Sequence, residues 1–325
     1  MYDIYLWKVK PTSSHMTPWQ SDTIYGHMLY AIAMLYGKEE YDKIVEDFIN
    51  LKSPFIISDG FIDGKLPLFN KSGISREDTE FFSKTINKDL IETVKRLKKI
   101  NKIKNISIGE FNRLRTAEFS NKDFIVEKLK ETEEENKKES KEKKASQNVA
   151  LVLHNNINRC TGTTVEDGIF SLKEIFIDGE IHVFIKIRKD FQIEKIDNIL
   201  KFIESSGFGK KVSSGKGAIE RISFEKCDDF KEVKDANAFI SLSNYTPKEG
   251  DYEEVICGTP LVKRGKTADI GDNMNFPFKK PFACFTPGAL FKGEINNEKG
   301  KVLTNIYINK NVVQIGIPFV LGVKL

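Results

Sequence analysis

The chain has 325 residues, 40% hydrophobic and 30% charged, with a formal net charge of +4 at pH 7. That length supports one large or two medium domains, each with its own core, and two is the expectation. So mild a basic balance excludes a protein that coats nucleic acid over its whole surface and confines any such contact to a local patch.

Residues Tyr2 to Lys10 read as a strand that ends at Pro11. After a loop with Pro11 and Pro18, Ser21 is the expected N-cap of a helix in which Ile24, Met28, Ile32 and Leu35 share a face and which Gly37 is expected to stop. Tyr41 to Leu51 is a short helix in this reading, Phe55 to Phe69 a hairpin and Thr79 to Ile100 a helix. Between Glu127 and Lys144, fourteen of eighteen residues are Lys or Glu, so that stretch, part of a charged segment at 120–148, is either an exposed helix or a disordered insert. The stretch His154 to Thr164 is dense in hydrogen-bonding groups and poor in apolar ones.

From Glu174 to Ile187 the pattern alternates: Ile181, Val183, Ile185 and Ile187 form a core face, and His182, Phe184, Lys186 and Arg188 form either a nucleic-acid platform or a solvated face. Asp190 to Ser206 is an amphipathic helix with Gly207 as its C′ residue, followed by a glycine-rich loop and a strand at Ala218 to Glu225. The first 228 residues therefore read as βαββαβ, with a large insertion at about 38–147. A second, strand-rich unit is expected at 237–325, with strands at Phe239 to Leu242, Val255 to Lys263, Pro281 to Phe285, Val302 to Ile308 and Val312 to Lys324.

The loop itself, G-F-G-K-K-V-S-S-G-K-G from Gly207 to Gly217, is the main functional candidate. Glycines let backbone amides converge on an anion, Lys210, Lys211 and Lys216 add charge, and Ser213 and Ser214 add hydroxyl donors. A solvated flexible turn is the alternative. A nucleotide-triphosphate loop is excluded, because five residues separate Gly209 from Gly215 and Gly217 stands where Ser or Thr should bind magnesium. A dinucleotide fingerprint is excluded too, since a helix and not a strand precedes the loop.

The segments S-D-T-I-Y-G-H-M-L-Y-A-I at 21–32 and S-S-G-F-G-K-K-V-S-S-G-K-G-A-I-E at 205–220 resemble the RAMP superfamily of CRISPR proteins. Within it, N-N-I-N-R-C-T-G-T-T at 155–164 is similar to the subunit that caps the 5′ end of the guide RNA in type III-A (Csm) effector complexes, and P-F-A-C-F-T-P-G-A-L-F at 281–291 is a weaker match. The resemblance implies an α+β fold of two ferredoxin-like (RRM-like) domains, with a large insertion in the first. It also implies a protein that binds RNA without cutting it. Gly207, Gly209 and the residues on to Gly215, Lys216 and Gly217 would hold the crRNA 5′ handle, Asn155 and Arg159 would lie near the RNA, and Ser21 would face the same groove. A thumb-like hairpin would insert beside a kinked nucleotide. The implied partners are the large polymerase-like CRISPR subunit and a backbone RAMP subunit.

The enzymatic alternative is a metal-independent RAMP endoribonuclease using His15 or His27. A further one is an acid-dependent nuclease using Asp22, although a carboxylate just after a helix start already has a dipole explanation. No other catalytic set stands out. Cys160, Cys227, Cys257 and Cys284 lack metal-type spacing, so no metal or cofactor is expected. With no secretory signal and no run of roughly 18 apolar residues, the expectation is a cytoplasmic protein without a membrane segment.

Overall fold

A computed structural model describes residues 1–69, 73–135, 146–267 and 277–325. The chain begins with β1 (Tyr2–Pro11), α1 (Ser21–Ile49) and β2 (Phe55–Ile62). A long excursion follows: β3 (Leu66–Pro67), α2 (Arg76–Ile86), α3 (Leu90–Ile100), β4 (Asn105–Ile106), α4 (Ile108–Leu114), α5 (Asn121–Glu135), and a hairpin of β5 (Ser146–Ile157) with β6 (Thr164–Asp178). The chain then returns through β7 (Ile181–Arg188), α6 (Ile193–Ser206) and β8 (Ile219–Lys226).

One antiparallel sheet has the order β2-β7-β1-β8. Together with α1 and α6 this is βαββαβ, with its second strand at 55–62 and its third at 181–188. The interposed segment is thus 63–180, not 38–147 as the sequence suggested. Helix α6 covers the face carrying Trp7 and its partner Val183, as shown by the Trp7 Nε1 hydrogen bond to Glu204 on that helix (2.7 Å).

The rest of the chain is strand-rich: β9 (Ala238–Ser241), β10 (Glu254–Cys257), β11 (Pro260–Lys263), β12 (Phe282–Phe285), β13 (Leu290–Lys292), β14 (Val302–Leu303), β15 (Gln314–Ile315) and β16 (Val320–Val323). A second antiparallel sheet runs β10-β13-β9-β16. Its strands, taken in chain order, repeat the 2-3-1-4 arrangement of the first sheet, but among the described residues no helix joins them. Loops and the short pair β14·β15 stand where helices would be. The class is α+β, as expected.

The two sheets share one core. Phe184 and Lys186, expected on an open or solvated face, are buried: Phe184 lies against Phe230 and Phe319, and Lys186 Nζ donates to Val320 O and Asn297 Oδ1 (both 2.7 Å). The face that could have been a platform is the seam between the halves.

Three local expectations change for identifiable reasons. Gly37, at φ 80° and ψ −178°, kinks α1 without ending it, because Ile44, Val45 and Phe48 beyond it still find core partners. The stretch from 79 to 100 is two helices: Asn87 turns left-handed (φ 51°) and the Asp89 carboxylate caps α3 by accepting the Glu92 N–H. Phe55–Ile62 does not form a hairpin with its neighbour, since Leu66–Pro67 pairs with Asn105–Ile106 instead. In the charged segment α5 runs to Glu135, and 136–145 lie outside the described residues. Among the described residues no helix is long and apolar enough to cross a membrane.

Candidate nucleic-acid interface

The loop from 207 to 217 has a buried root and an exposed crest. Gly207, Gly209, Lys211, Gly215 and Gly217 all take positive φ (85°, 89°, 64°, 77° and 72°), so the chain reverses repeatedly within a small volume. At the root Phe208 is fully buried, stacks on Trp19 with ring centroids 3.9 Å apart and lies 4.9 Å from His27. The Phe208 N–H donates to Gly217 O (2.8 Å) and closes the neck, while the Gly217 N–H donates to Ser14 O (2.9 Å). A Cβ at Gly217 would stand 2.0 Å from Phe208 O, so this neck requires glycine.

Two further amides are consumed in anchoring: Gly209 N–H donates to His27 Nε2 (3.0 Å) and Lys210 N–H to Thr17 Oγ1 (3.1 Å). The crest is a single tight turn at Val212–Ser214, closed by Ser214 N–H to Lys211 O and Gly215 N–H to Val212 O (both 2.9 Å). Among the described residues, the N–H groups of Lys211, Val212 and Ser213 have no protein acceptor. Lys210, Lys211, Ser213 and Ser214 are exposed around them. Amide donors and mobile ammonium groups on one convex turn suit phosphate oxygens.

Beneath the crest lies a buried ionic node. Glu174 on β6, 1% exposed in its side chain, accepts from Lys216 Nζ (2.7 Å) and Ser14 Oγ (2.6 Å) and meets His154 Nε2 on β5 (3.0 Å). The Lys216 and Ser14 bonds hold its carboxyl down to about 2. His15 adds a backbone bridge to Ile175 in the same strand (2.8 and 2.7 Å). The glycine loop, the 12–20 loop and the base of the β5–β6 hairpin are therefore locked together.

That hairpin projects from this node. Its 12-residue first strand spans about 40 Å, and Val149, Leu151, Leu153 and Ile169 along one face are 51%, 75%, 76% and 67% exposed. Asn155 is exposed just beyond His154, its amide 3.3 Å from Thr164 Oγ1, and Arg159 is exposed in the terminal turn.

No protein-family model matches the chain, and no curated protein matches it in sequence. Solved structures do. A chain of the Csm1–Csm4 cassette in complex with pppApA aligns over 100% of this chain and 99% of its own length, with 14% identity and a TM-score of 0.58. A chain of the Csm3–Csm4 subcomplex in the type III-A CRISPR-Cas interference complex aligns over 100% of both, with 17% identity and a TM-score of 0.59. The same cassette in complex with AMPPNP gives 15% identity and 0.56 over 100% and 99%. Csm4 is the subunit these assemblies have in common.

The chain has a Csm4-like fold.

In this Csm4-like fold the expected site residues separate into groups. Lys210, Lys211, Ser213, Ser214 and Gly215 gather on the crest. Gly207, Gly209 and Gly217 shape and anchor its base. Lys216 points inward to Glu174, so its ammonium is committed to a protein carboxylate.

Ser21 does not face the loop. It is the first helical residue, with Gln20 at the N-cap position, and is 1% exposed. Its hydroxyl accepts the Asn244 N–H (3.0 Å) and its own N–H donates to Asp59 Oδ1 (2.8 Å), so it belongs to the seam.

Each alternative catalytic group makes a structural contact, although His15 Nε2 is buried without a hydrogen-bond partner among the described residues. His27 Nε2 accepts an N–H, which fixes the proton on Nδ1, and burial lowers its pKa to about 4. His15 is fully buried, with Nδ1 on Ser13 O (2.9 Å). Asp22 accepts from Lys263 Nζ (2.5 Å) and Asn244 Nδ2 (2.9 Å).

Sequence reasoning missed Glu174, Ser14 and Thr17. No local signal marks them: Ser14 and Glu174 are 160 residues apart, and Lys216 is 42 beyond Glu174.

Proposed function

We propose that this chain is a non-catalytic RNA-binding subunit of a type III-A CRISPR effector complex. It anchors the 5′ handle of the guide RNA and docks the large polymerase-like subunit and a backbone RAMP subunit. The observation that carries the reading is the crest at 210–215, whose three unused amides and two exposed lysines sit beside a projecting hairpin. Phosphates of an irregular single strand would seat there, and the hairpin with its exposed leucines would act as the thumb beside a displaced nucleotide. Residues 1–228 and 237–325 would be two ferredoxin-like units, the second without its helices. Solved assemblies that pair Csm4 with Csm1 and with Csm3 support the two docking partners. The engagement of His15, His27 and Asp22 in structural contacts supports the absence of catalysis.

The test is guide content in purified complexes. With Lys210→Ala and Lys211→Ala together, RNA loading falls and its dependence on salt becomes shallower while the melting temperature is unchanged. Equal loading at unchanged stability would refute the anchoring role. Purified chain mixed with repeat RNA is expected to leave it intact, as read on a denaturing gel.

A further inference from the structure

The outer face of the β11–β12 hairpin combines an exposed ring with cations. Alternation along β11 sends Lys263 inward and leaves Val262, Arg264 and Lys266 exposed, with Val262 at 72%. Lys266 forms an antiparallel β-bridge with Phe278 on the returning segment, and Arg264 Cζ and Lys266 Nζ stand 5.0 and 4.8 Å from the Phe278 ring centroid. Lys280 is exposed two residues further on.

The inner side of the same hairpin fixes where it stands. Lys263 Nζ reaches back to Gln20 Oε1 (2.8 Å) and Asp22. Three residues before Gln20, Thr17 Oγ1 takes the Lys210 amide of the crest. Three residues of extended chain span about 11 Å at most, so the crest and this hairpin flank the same short segment.

We infer that β11–β12 is a second RNA contact, where the single strand leaving the crest stacks a base on Phe278 and passes its phosphates to Arg264 and Lys266. The inference rests on the anchoring role proposed above. An exposed aromatic ring flanked by cations on long side chains is the combination that binds single strands without reading their sequence. The second unit thereby gains a function that its sheet order alone does not suggest.

The experiment uses the full chain and a fluorescent single-stranded RNA of mixed sequence, titrated at several salt concentrations. Phe278→Ala is expected to weaken binding at least about 5-fold, and Phe278→Trp to retain it. The double variant Arg264→Ala/Lys266→Ala is expected to reduce the log–log salt slope by about 1.4, the value for two phosphate contacts on a single strand. Melting curves confirm that each variant folds.

If Lys210→Ala/Lys211→Ala weakens binding while the Phe278 and Arg264/Lys266 variants leave affinity and slope unchanged, the second contact is refuted and the anchoring role stands. Variants that lose a protein subunit of the complex but keep RNA affinity would likewise overturn it, as a protein-docking face. No RNA binding by the wild-type chain would overturn both.

Discussion

At the scale of single residues, the neck of the glycine loop separates two kinds of glycine. Gly217 has φ +72° and no room for a Cβ, whereas Gly215 has φ +77° but nothing within 4 Å. Gly215→Ala therefore incurs only left-handed strain, about 1–2 kcal/mol, while Gly217→Ala must also move the backbone at Phe208 and is expected to lose about 3 kcal/mol or more. Urea denaturation of the two variants checks the order. His27 makes a pH-dependent contribution. Its folded value near 4, against 6.5 unfolded, means that the unfolded chain binds more protons between those limits. The stability from neutral His27 is complete above pH 6.5 and is lost as pH falls toward 4, at up to about 1.4 kcal/mol per unit. In His27→Gln this acid-side slope is expected to flatten.

At the scale of elements, Glu174 turns the hairpin and the glycine loop into one rigid piece. Glu174→Gln keeps the size of the side chain but removes the charge that holds Lys216. The hairpin base is expected to loosen, with faster amide exchange around 152–156 and 170–176 and a stability loss of about 1–3 kcal/mol. Unchanged exchange would show that the backbone bridge at His15 is sufficient. The elements legible in the sequence were those with a local signature. β1, α6 and the glycine loop show alternation, an i, i+3, i+4, i+7 stripe, and a Gly/Lys cluster. What was not legible depended on distant partners. Phe55–Ile62 could be assigned to the sheet only through β7, which lies 119 residues beyond its end. Lys216 looks like a phosphate ligand until Glu174 is folded beneath it. Ser21 looks like a cap until Asn244 takes its hydroxyl. The exposed crest at 210–215 was readable because, among the described residues, no partner claims the side chains of Lys210, Lys211, Ser213 and Ser214.

At the scale of the molecule, the halves meet across buried charge. Burial pushes Asp59 up to about 7 from 3.8 and Lys186 down to about 7 from 10.5. For Asp59 the folded state binds more protons between 3.8 and 7, so its contribution is lost as pH rises through that window. For Lys186 the unfolded state binds more protons between 7 and 10.5, so its contribution is regained as pH rises through that range. Together these two groups weaken the seam most near neutrality. Relative to wild type, Asp59→Asn is expected to gain stability as pH rises toward 7. Lys186→Met is expected to hold its full advantage at pH 7 and below and to lose it toward 10. Paired urea titrations at about pH 5, 7 and 9 test both signs.

The second sheet places its first strand in the middle: β9 pairs on one side with β13 and on the other with β16, at Val320–Val323. Phe184 is covered by Phe319, and Lys186 is held by the carbonyl of Val320. During vectorial synthesis the first sheet must therefore wait, with its greasy underside bare, until the 319–323 stretch has cleared the ribosome tunnel. A nascent chain stalled before 319–323 presents that underside to chaperones.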